Sequence, residues 1–236
     1  MSINYGPISE TRSPIAILWE DATLLVVDKP AGMLVHPSVR EREGTLKCRL
    51  LETHREILLP HRLDRDTSGL MVIAKDALAA RHLGFQFARR EVKKIYTAIV
   101  AGIVEPDELL IDVALGREAA EKPQWNARPN GKPAQSMLRV IERRASSTVL
   151  ELEPITGRTN QLRIHCAHIG HPILGDVWYQ GPSALRLMLH ASGLSFTQPV
   201  TGEWLAFASQ LIVPWDTAQS VPSLRSDQTL AEGKAH

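Results

Sequence analysis

The feature that most constrains the fold of this chain is a succession of short β-rich segments with few helices between them. Hydrophobic alternation predicts strands at residues 15–19, 24–27, 70–75, 92–104, 109–115, 134–144, 148–155, 185–196 and 205–213. Helical periodicity is confined to residues 44–54, 77–90 and 160–169. Because neighbouring strands often follow each other without a crossover helix, we expect an α+β fold around a mostly antiparallel sheet.

Length and composition limit the domain organisation. With 236 residues, 44% of them hydrophobic, the chain can bury a substantial core as one large domain or two small ones. Residues 1–14 and 217–236 are polar and aperiodic, so we expect a flexible N-terminal segment and a disordered C-terminal tail around a domain at residues 15–216.

The location of the protein is predicted from what the sequence lacks. No apolar run is long enough for a membrane span, and residues 1–14 do not resemble a signal peptide, so the cytoplasm is expected. The two cysteines, Cys48 and Cys166, show no CxxC spacing. They predict neither a disulfide framework nor a thiolate zinc site, which fits a reducing compartment.

Positive charge is segregated along the chain although the net charge is only +1. Residues 35–100 carry a net charge of +5 and residues 117–171 a net charge of +4, whereas the other segments are acidic. If both basic blocks line one cleft, they would attract phosphates; otherwise they are two ordinary solvated faces.

Three polar clusters abut predicted strands or helix starts: PHRLDRDTSG at 60–69, KKIYTAIVAG at 93–102 and PITGRTNQLRIHCAHIGHPILGD at 154–176. Ser68 lacks the Gly-x-Ser-x-Gly context of a nucleophilic serine. The chain also lacks the GxGxxG and GxxxxGKS/T loops that cradle phosphates. A serine hydrolase and a nucleotide cofactor are therefore not indicated.

The third cluster raises the possibility of a metal site. His165, Cys166, His168 and His171 lie within seven residues, and His165 and His168 would be one helical turn apart. No carboxylate follows them until Asp176, and no thiolate pair is present. Packed histidines are favoured, and a zinc-dependent hydrolase stays an alternative.

A carboxylate flanked by cations is the remaining chemistry. Asp64 lies two residues from Arg62, and a contact with Arg163 would keep it ionised near neutral pH. Such a carboxylate can act as nucleophile or base, or it can be a structural ion pair that stabilises a turn. Tyr96, which follows Lys93 and Lys94, can stack on a nucleobase or pack in the core.

Five motifs, taken together, resemble the RluA family of RNA pseudouridine synthases. They occur in order between about residues 19 and 213: VVDKPAGMLVHPS, HRLDRDTSGLMVIAK, KKIYTAIVAG, ITGRTNQLRIHCAHIGHPILGD and LMLHASGLSF. The resemblance implies isomerisation of uridine in RNA to pseudouridine without metal or organic cofactor. It also implies one catalytic domain on a long, mixed, mainly antiparallel sheet with a central active-site cleft.

The resemblance also implies roles for individual residues. The essential aspartate of the family falls on Asp64, the tyrosine that packs against the target base on Tyr96, and the arginine that pairs with the aspartate on Arg163. Arg62 resembles the residue that enters the space left by the extruded nucleotide, and Leu162 matches an apolar residue of the pocket.

Further RNA contacts are predicted nearby. We expect Lys94 and His61 to bind substrate as well. With no N-terminal RNA-binding domain expected before residue 15, RNA recognition would rest on the catalytic domain and its polar 117–133 connection. Candidate contacts in that connection are Lys122, Trp125, Arg128 and Lys132.

The expected partner is transfer RNA, ribosomal RNA or both, bound by a monomer. An RNA-binding protein that keeps the fold but has lost catalysis is the second alternative, and the intact set of Asp64, Tyr96 and Arg163 argues against it.

Overall fold

The computed structural model describes residues 15–39, 41–117 and 124–209. The predicted terminal segments 1–14 and 217–236 lie outside these ranges. The strands are β1 Ala16–Glu20, β2 Leu24–Lys29, β3 Ser68–Ala74, β4 Lys93–Ala101, β5 Glu108–Asp112, β6 Leu115–Arg117, β7 Trp125–Ala127, β8 Gln135–Arg143, β9 Ser147–Pro154, β10 Leu189–Thr197 and β11 Trp204–Ala208. The helices are α1 Leu46–Leu51, α2 Ala77–Arg89 and α3 Gln161–His168, with a short 3-10 helix at Val177–Tyr179.

One long sheet organises the molecule. Its strand order is β1-β2-β3-β10-β4-β9-β8-β5, and β11 pairs with β10 beside this path. The β3–β10 pair is parallel and the other pairs are antiparallel, which confirms the predicted mixed, mainly antiparallel sheet. The four central strands, β3, β10, β4 and β9, bring together segments that are far apart in the sequence.

Strand β3 begins at a close approach to β10. Gly69 has φ +115° and is opposite Ala191 in the parallel ladder. A Cβ at Gly69 would overlap the backbone of Ala191, so only glycine allows the two strands to meet here. The DTSG end of the first polar cluster is therefore the junction that joins the loop carrying Asp64 to the sheet.

Strand β2 shows why the apolar run LLVV forms a strand. Residues 24–27 are completely buried, and alternate side chains enter separate clusters on the two faces of the sheet. One face packs against α1 and the other against α2. A third cluster joins β4 and β9 to α3, and it includes Leu162 and Cys166.

The structure differs from the predicted elements at several places. The single strand predicted at residues 109–115 is divided, because β5 ends at Asp112 and β6 begins at Leu115. No strand was predicted in the polar 117–133 connection, but β7 at Trp125–Ala127 pairs with β6 to form a second small sheet. The tenth strand begins at Leu189 rather than at residue 185, and the predicted strand at 205–213 is described only through residue 209. No helix in the described ranges is long and apolar enough to span a membrane.

Candidate active site

A cleft of about 740 Å³ opens over the central strands of the sheet. Its walls come from the loop before β3, the end of α2, the first half of β4, and the turn between β9 and α3. All three polar clusters of the sequence therefore meet in one cleft, as the predicted site requires.

Asp64 lies in the loop before β3, directly after Leu63, whose side chain is buried. The Asp64 side chain is 29% exposed, and its Oδ2 is 3.9 Å from Nη1 of Arg163. Burial raises the pKa of Asp64 above its usual 3.8, against the opposing effect of Arg163, Arg62 and Lys29. Asp64 is thus a half-buried carboxylate in the cleft, and among the described residues its ionic contact is the distant one with Arg163.

Arg163 has a closer partner than the one predicted for it. Its Nε donates to Oδ2 of Asp176 at 2.7 Å, and its Nη2 donates to Oδ1 at 2.6 Å. The predicted pairing with Asp64 is the longer 3.9 Å contact. The ring of Tyr179 lies 5.2 Å from the guanidinium carbon, which adds a cation–π contact.

Asp176 is a residue of the site that sequence reasoning missed. It appeared only as the first carboxylate after the histidines of the third cluster. Its side chain is fully buried, and it also accepts from the backbone N–H groups of Trp178 and Tyr179. A carboxylate directly after Gly175, between apolar residues, was the available signal, but no local pattern links it to Arg163.

Tyr96 and Lys94 lie two positions apart on β4, so both side chains point to the cleft side of the strand. Tyr96 packs between the two hydrophobic clusters that flank the cleft, and burial raises the pKa of its hydroxyl. Burial also lowers the pKa of Lys94. A neutral ring and a half-buried cation therefore lie side by side.

The other predicted substrate contacts also line the cleft. Arg62 is exposed, and Leu162 is buried between the cleft and the core. His61 has a structural environment instead: its ring stacks on Phe87 at 4.5 Å, and its Nε2 accepts from the N–H of Val72. Burial, with a smaller effect of Lys94, lowers the pKa of His61 to about 3, so the imidazole is neutral.

Cations outnumber carboxylates among the residues that line the cleft. The two carboxylates are Asp64 and Glu153. The cations are Arg62, Arg90, Lys93, Lys94, Arg158 and Arg163. This excess, contributed by both basic blocks of the sequence, favours a polyanionic ligand.

Lys29 supports the loop that carries Asp64. Its side chain is completely buried, and its Nζ donates to the carbonyls of Pro30, Met33 and Arg65. Burial lowers its pKa to about 8, which nearby carboxylates including Asp64 oppose. Sequence reasoning did not single out this lysine, although a charged residue at the end of a buried strand was visible.

The histidines of the third cluster do not form the metal site considered as an alternative. His165 uses both ring nitrogens, with Ser136 and with the carbonyl of Val113, and Nδ1 of His171 contacts the carbonyl of Ala101. In the described part of the chain, no three or more histidine, cysteine or acidic side chains are arranged to hold a metal ion.

The structure describes three of the four RNA contacts predicted in the 117–133 connection, and their environments differ. Lys122 lies outside the described residues. Trp125 packs against the cluster of Leu115 and Tyr179, so its indole has a structural role. Arg128 and Lys132 are exposed, as RNA contacts would be.

Comparison with known proteins gives a consistent set of relatives. The model of the RNA pseudouridylate synthase family matches residues 23–168. The chain is 39% identical over 211 residues to the dual-specificity RNA pseudouridine synthase RluA of Escherichia coli K12, covering 86% of this chain and 95% of that protein. It is 38% identical over 230 residues to the ribosomal large subunit pseudouridine synthase D of Nitrosomonas europaea, covering 90% of this chain and 66% of that protein.

The chain thus spans about two thirds of the Nitrosomonas europaea protein and nearly all of the Escherichia coli protein. Among solved structures, human RNA pseudouridylate synthase domain containing 1 superposes with a TM-score of 0.73. That alignment has 28% identity and covers 83% of each chain.

Proposed function

Because the chain belongs to the RNA pseudouridylate synthase family, whose members are isomerases acting on RNA, we propose that Asp64 is its catalytic carboxylate. One observation supports the proposal most: Asp64 is a half-buried carboxylate, accessible from a cleft lined mainly by cations. A phosphate-rich substrate bound in this cleft would bring its sugar and base to an anionic group.

The reaction sets clear demands on that group. The bond between C1′ and N1 of uridine breaks, a bond between C1′ and C5 forms, the C5 proton leaves and N1 gains a proton. Asp64 can serve by attacking C1′, by attacking the base or by removing the 2′ hydrogen. Each route uses the ionised carboxylate, and the raised pKa makes that carboxylate a stronger base or nucleophile.

The target uridine must leave the RNA stack to reach Asp64. Extrusion costs a few kcal/mol, and a side chain that fills the gap offsets part of this cost. Arg62 is two residues from Asp64 and exposed on the cleft surface, so we assign it this role. Tyr96 and Leu162 then contact the extruded base, and Lys94 binds a phosphate beside them.

The target class follows from the relatives as a proposal. One relative is named for dual specificity and another for the ribosomal large subunit. We therefore propose transfer RNA, ribosomal RNA or both as substrate, modified in the cytoplasm by a monomer whose catalytic domain spans residues 15–216.

Tritium release tests the assignment of Asp64. RNA from cells that lack this protein, labelled with uridine tritiated at C5, is incubated with wild type, Asp64→Asn and the matched control Asp66→Asn. Asp66 is an exposed aspartate in the same loop, so its variant should release tritium at the wild-type rate. Asp64→Asn should lose about 10⁴-fold in rate while still binding RNA.

The outcomes separate the alternatives. Turnover by Asp64→Asn at the wild-type rate would contradict the role of Asp64. If wild type releases no tritium from any RNA fraction but binds RNA, the RNA-binding alternative replaces the enzyme. Assaying purified transfer and ribosomal RNA separately identifies the substrate class.

A further inference from the structure

Two carboxylates share the guanidinium of Arg163, and they do so unequally. Asp176 receives the two short hydrogen bonds, from Nε and Nη2, at 2.7 and 2.6 Å. Asp64 faces the remaining nitrogen, Nη1, at 3.9 Å. The fork between arginine and carboxylate is bidentate and planar, so it sets the orientation of the whole guanidinium.

The turn that carries Asp176 is held in place by its own backbone. The N–H of Gly175 donates to the carbonyl of Pro182, and the N–H of Gly181 donates to the carbonyl of Asp176. Gly175 has φ +77°, and a Cβ there would overlap the carbonyl of Arg186. Asp176 is therefore presented to Arg163 by a closed turn in which a larger residue at position 175 cannot fit.

The Asp176 carboxylate accepts four hydrogen bonds. It accepts from two nitrogens of Arg163 and from the backbone N–H groups of Trp178 and Tyr179. Tyr179, at the end of the same 3-10 helix, lies against the guanidinium, and its hydroxyl donates to the carbonyl of Trp125 and accepts from Asn160. Arg163 is thus held on two sides by one short segment.

We propose that Asp176 is a positioning residue of the pseudouridylation site, which orients Arg163 so that a single nitrogen faces Asp64. This inference rests on the proposed catalytic role of Asp64. Asp176 also balances the positive charge of Arg163, so that Asp64 meets an arginine that is already paired. A residue that acts in this way affects both the geometry and the basicity of Asp64 without touching the substrate.

The pH dependence of the reaction distinguishes this role from simple structural support. The charged and titratable groups that act on Asp64 are Arg163, Arg62, Lys29, Asp176, Tyr96 and Tyr179. The charge of Asp176 is one of the effects that raise the pKa of Asp64. Removing that charge should lower the pKa of Asp64, and the acid limb of the rate profile should move to lower pH.

The experiment measures single-turnover rates of pseudouridine formation against pH for wild type and Asp176→Asn. We expect the rate at pH 7 to fall about 10²-fold because Arg163 loses its orientation. We also expect the acid limb to move to lower pH. The control Thr148→Val removes a buried hydroxyl that bonds to Val104 and Gly102, and it should lower the melting temperature without moving the limb.

A second variant covers the case in which Asp176→Asn does not fold. Arg163→Lys keeps the positive charge but cannot form the fork with Asp176. Its rate should also fall about 10²-fold. A wild-type rate in Arg163→Lys, or a wild-type rate and limb in Asp176→Asn, would overturn the inference.

The Asp64→Asn assay separates the two proposals. If Asp64→Asn is inactive and Asp176→Asn behaves as wild type, only the role of Asp176 fails. If Asp64→Asn is active, the proposed function fails first.

Discussion

Asp64 and Asp176 lie at opposite ends of the Arg163 guanidinium, yet their surroundings differ in every respect. Within the described ranges, Asp176 is fully buried and accepts four hydrogen bonds, whereas Asp64 is 29% exposed and has one ionic contact at 3.9 Å. The fold supplies hydrogen-bond donors to the buried carboxylate of Asp176 and leaves the carboxylate of Asp64 accessible from the cleft. This contrast separates a structural ion pair from a group that can react.

The largest effect on stability and activity is expected at Arg163, which contacts both carboxylates. Arg163→Met leaves the buried carboxylate of Asp176 without its partner, which typically destabilises a protein by about 3–5 kcal/mol. The variant should also lose activity. Thermal unfolding checks this against Arg158→Met. The Nε of Arg158 donates to the carbonyl of Pro133 and not to a buried carboxylate, so the melting temperature of this variant should change little. An unchanged melting temperature in Arg163→Met would contradict the interpretation of Arg163 and Asp176 as a buried ion pair that stabilises the fold.

The second-largest effect is expected at Tyr96 in the cleft, and it should be an effect on activity. Tyr96→Leu keeps apolar volume between the flanking clusters but loses the ring that stacks on the target base. Base stacking is worth about 1–3 kcal/mol, so kcat/KM should fall about 10-fold to 100-fold. Tyr96→Phe is the matched control and should stay within about tenfold of wild type, because burial keeps the hydroxyl neutral. Equal losses in the two variants would argue against stacking.

The smallest effect is expected at Lys94. The neutral variant Lys94→Gln should weaken RNA binding and reduce the slope of log K against log salt by about 1, the contribution of one phosphate contact. Because burial lowers the pKa of Lys94, its charge is disfavoured in the folded state, and removing it should not lower stability. RNA binding measured from low to high salt tests this prediction. An unchanged slope would show that Lys94 contacts no phosphate.

Local patterns predicted most of the sheet. The apolar runs of β2 and β3 each gave the right element within two residues of its ends, and the alternation along β4 gave the right element with its end placed three residues too late. The pattern in the 117–133 connection was obscured by its polar residues, so the strand at Trp125–Ala127 was missed. Its pairing with β6 is a tertiary contact that the local composition does not encode.

The sequence predicted which residues form the candidate site but not which of them are hydrogen-bonded to one another. Motif order indicated that Asp64, Tyr96 and Arg163 would meet, and the structure places all three in one cleft. The partner of Arg163 could not be predicted, because Asp176 reaches it through a turn whose position depends on contacts with Ile173 and Pro182. Packing in the folded protein decides which of the two carboxylates the arginine binds. The spacing of the residues along the sequence does not indicate it.

The pH dependence of the wild-type single-turnover rate tests whether the reaction depends on Asp64 as an ionised carboxylate with a raised pKa. Burial raises the pKa of Asp64, so the carboxylate takes up a proton at a higher pH than an ordinary aspartate and the rate falls as the pH drops through that raised value. We predict an acid limb with a midpoint above 3.8 in protein that remains folded and bound to RNA. A rate that stays constant down to pH 3.8 under those conditions would contradict it.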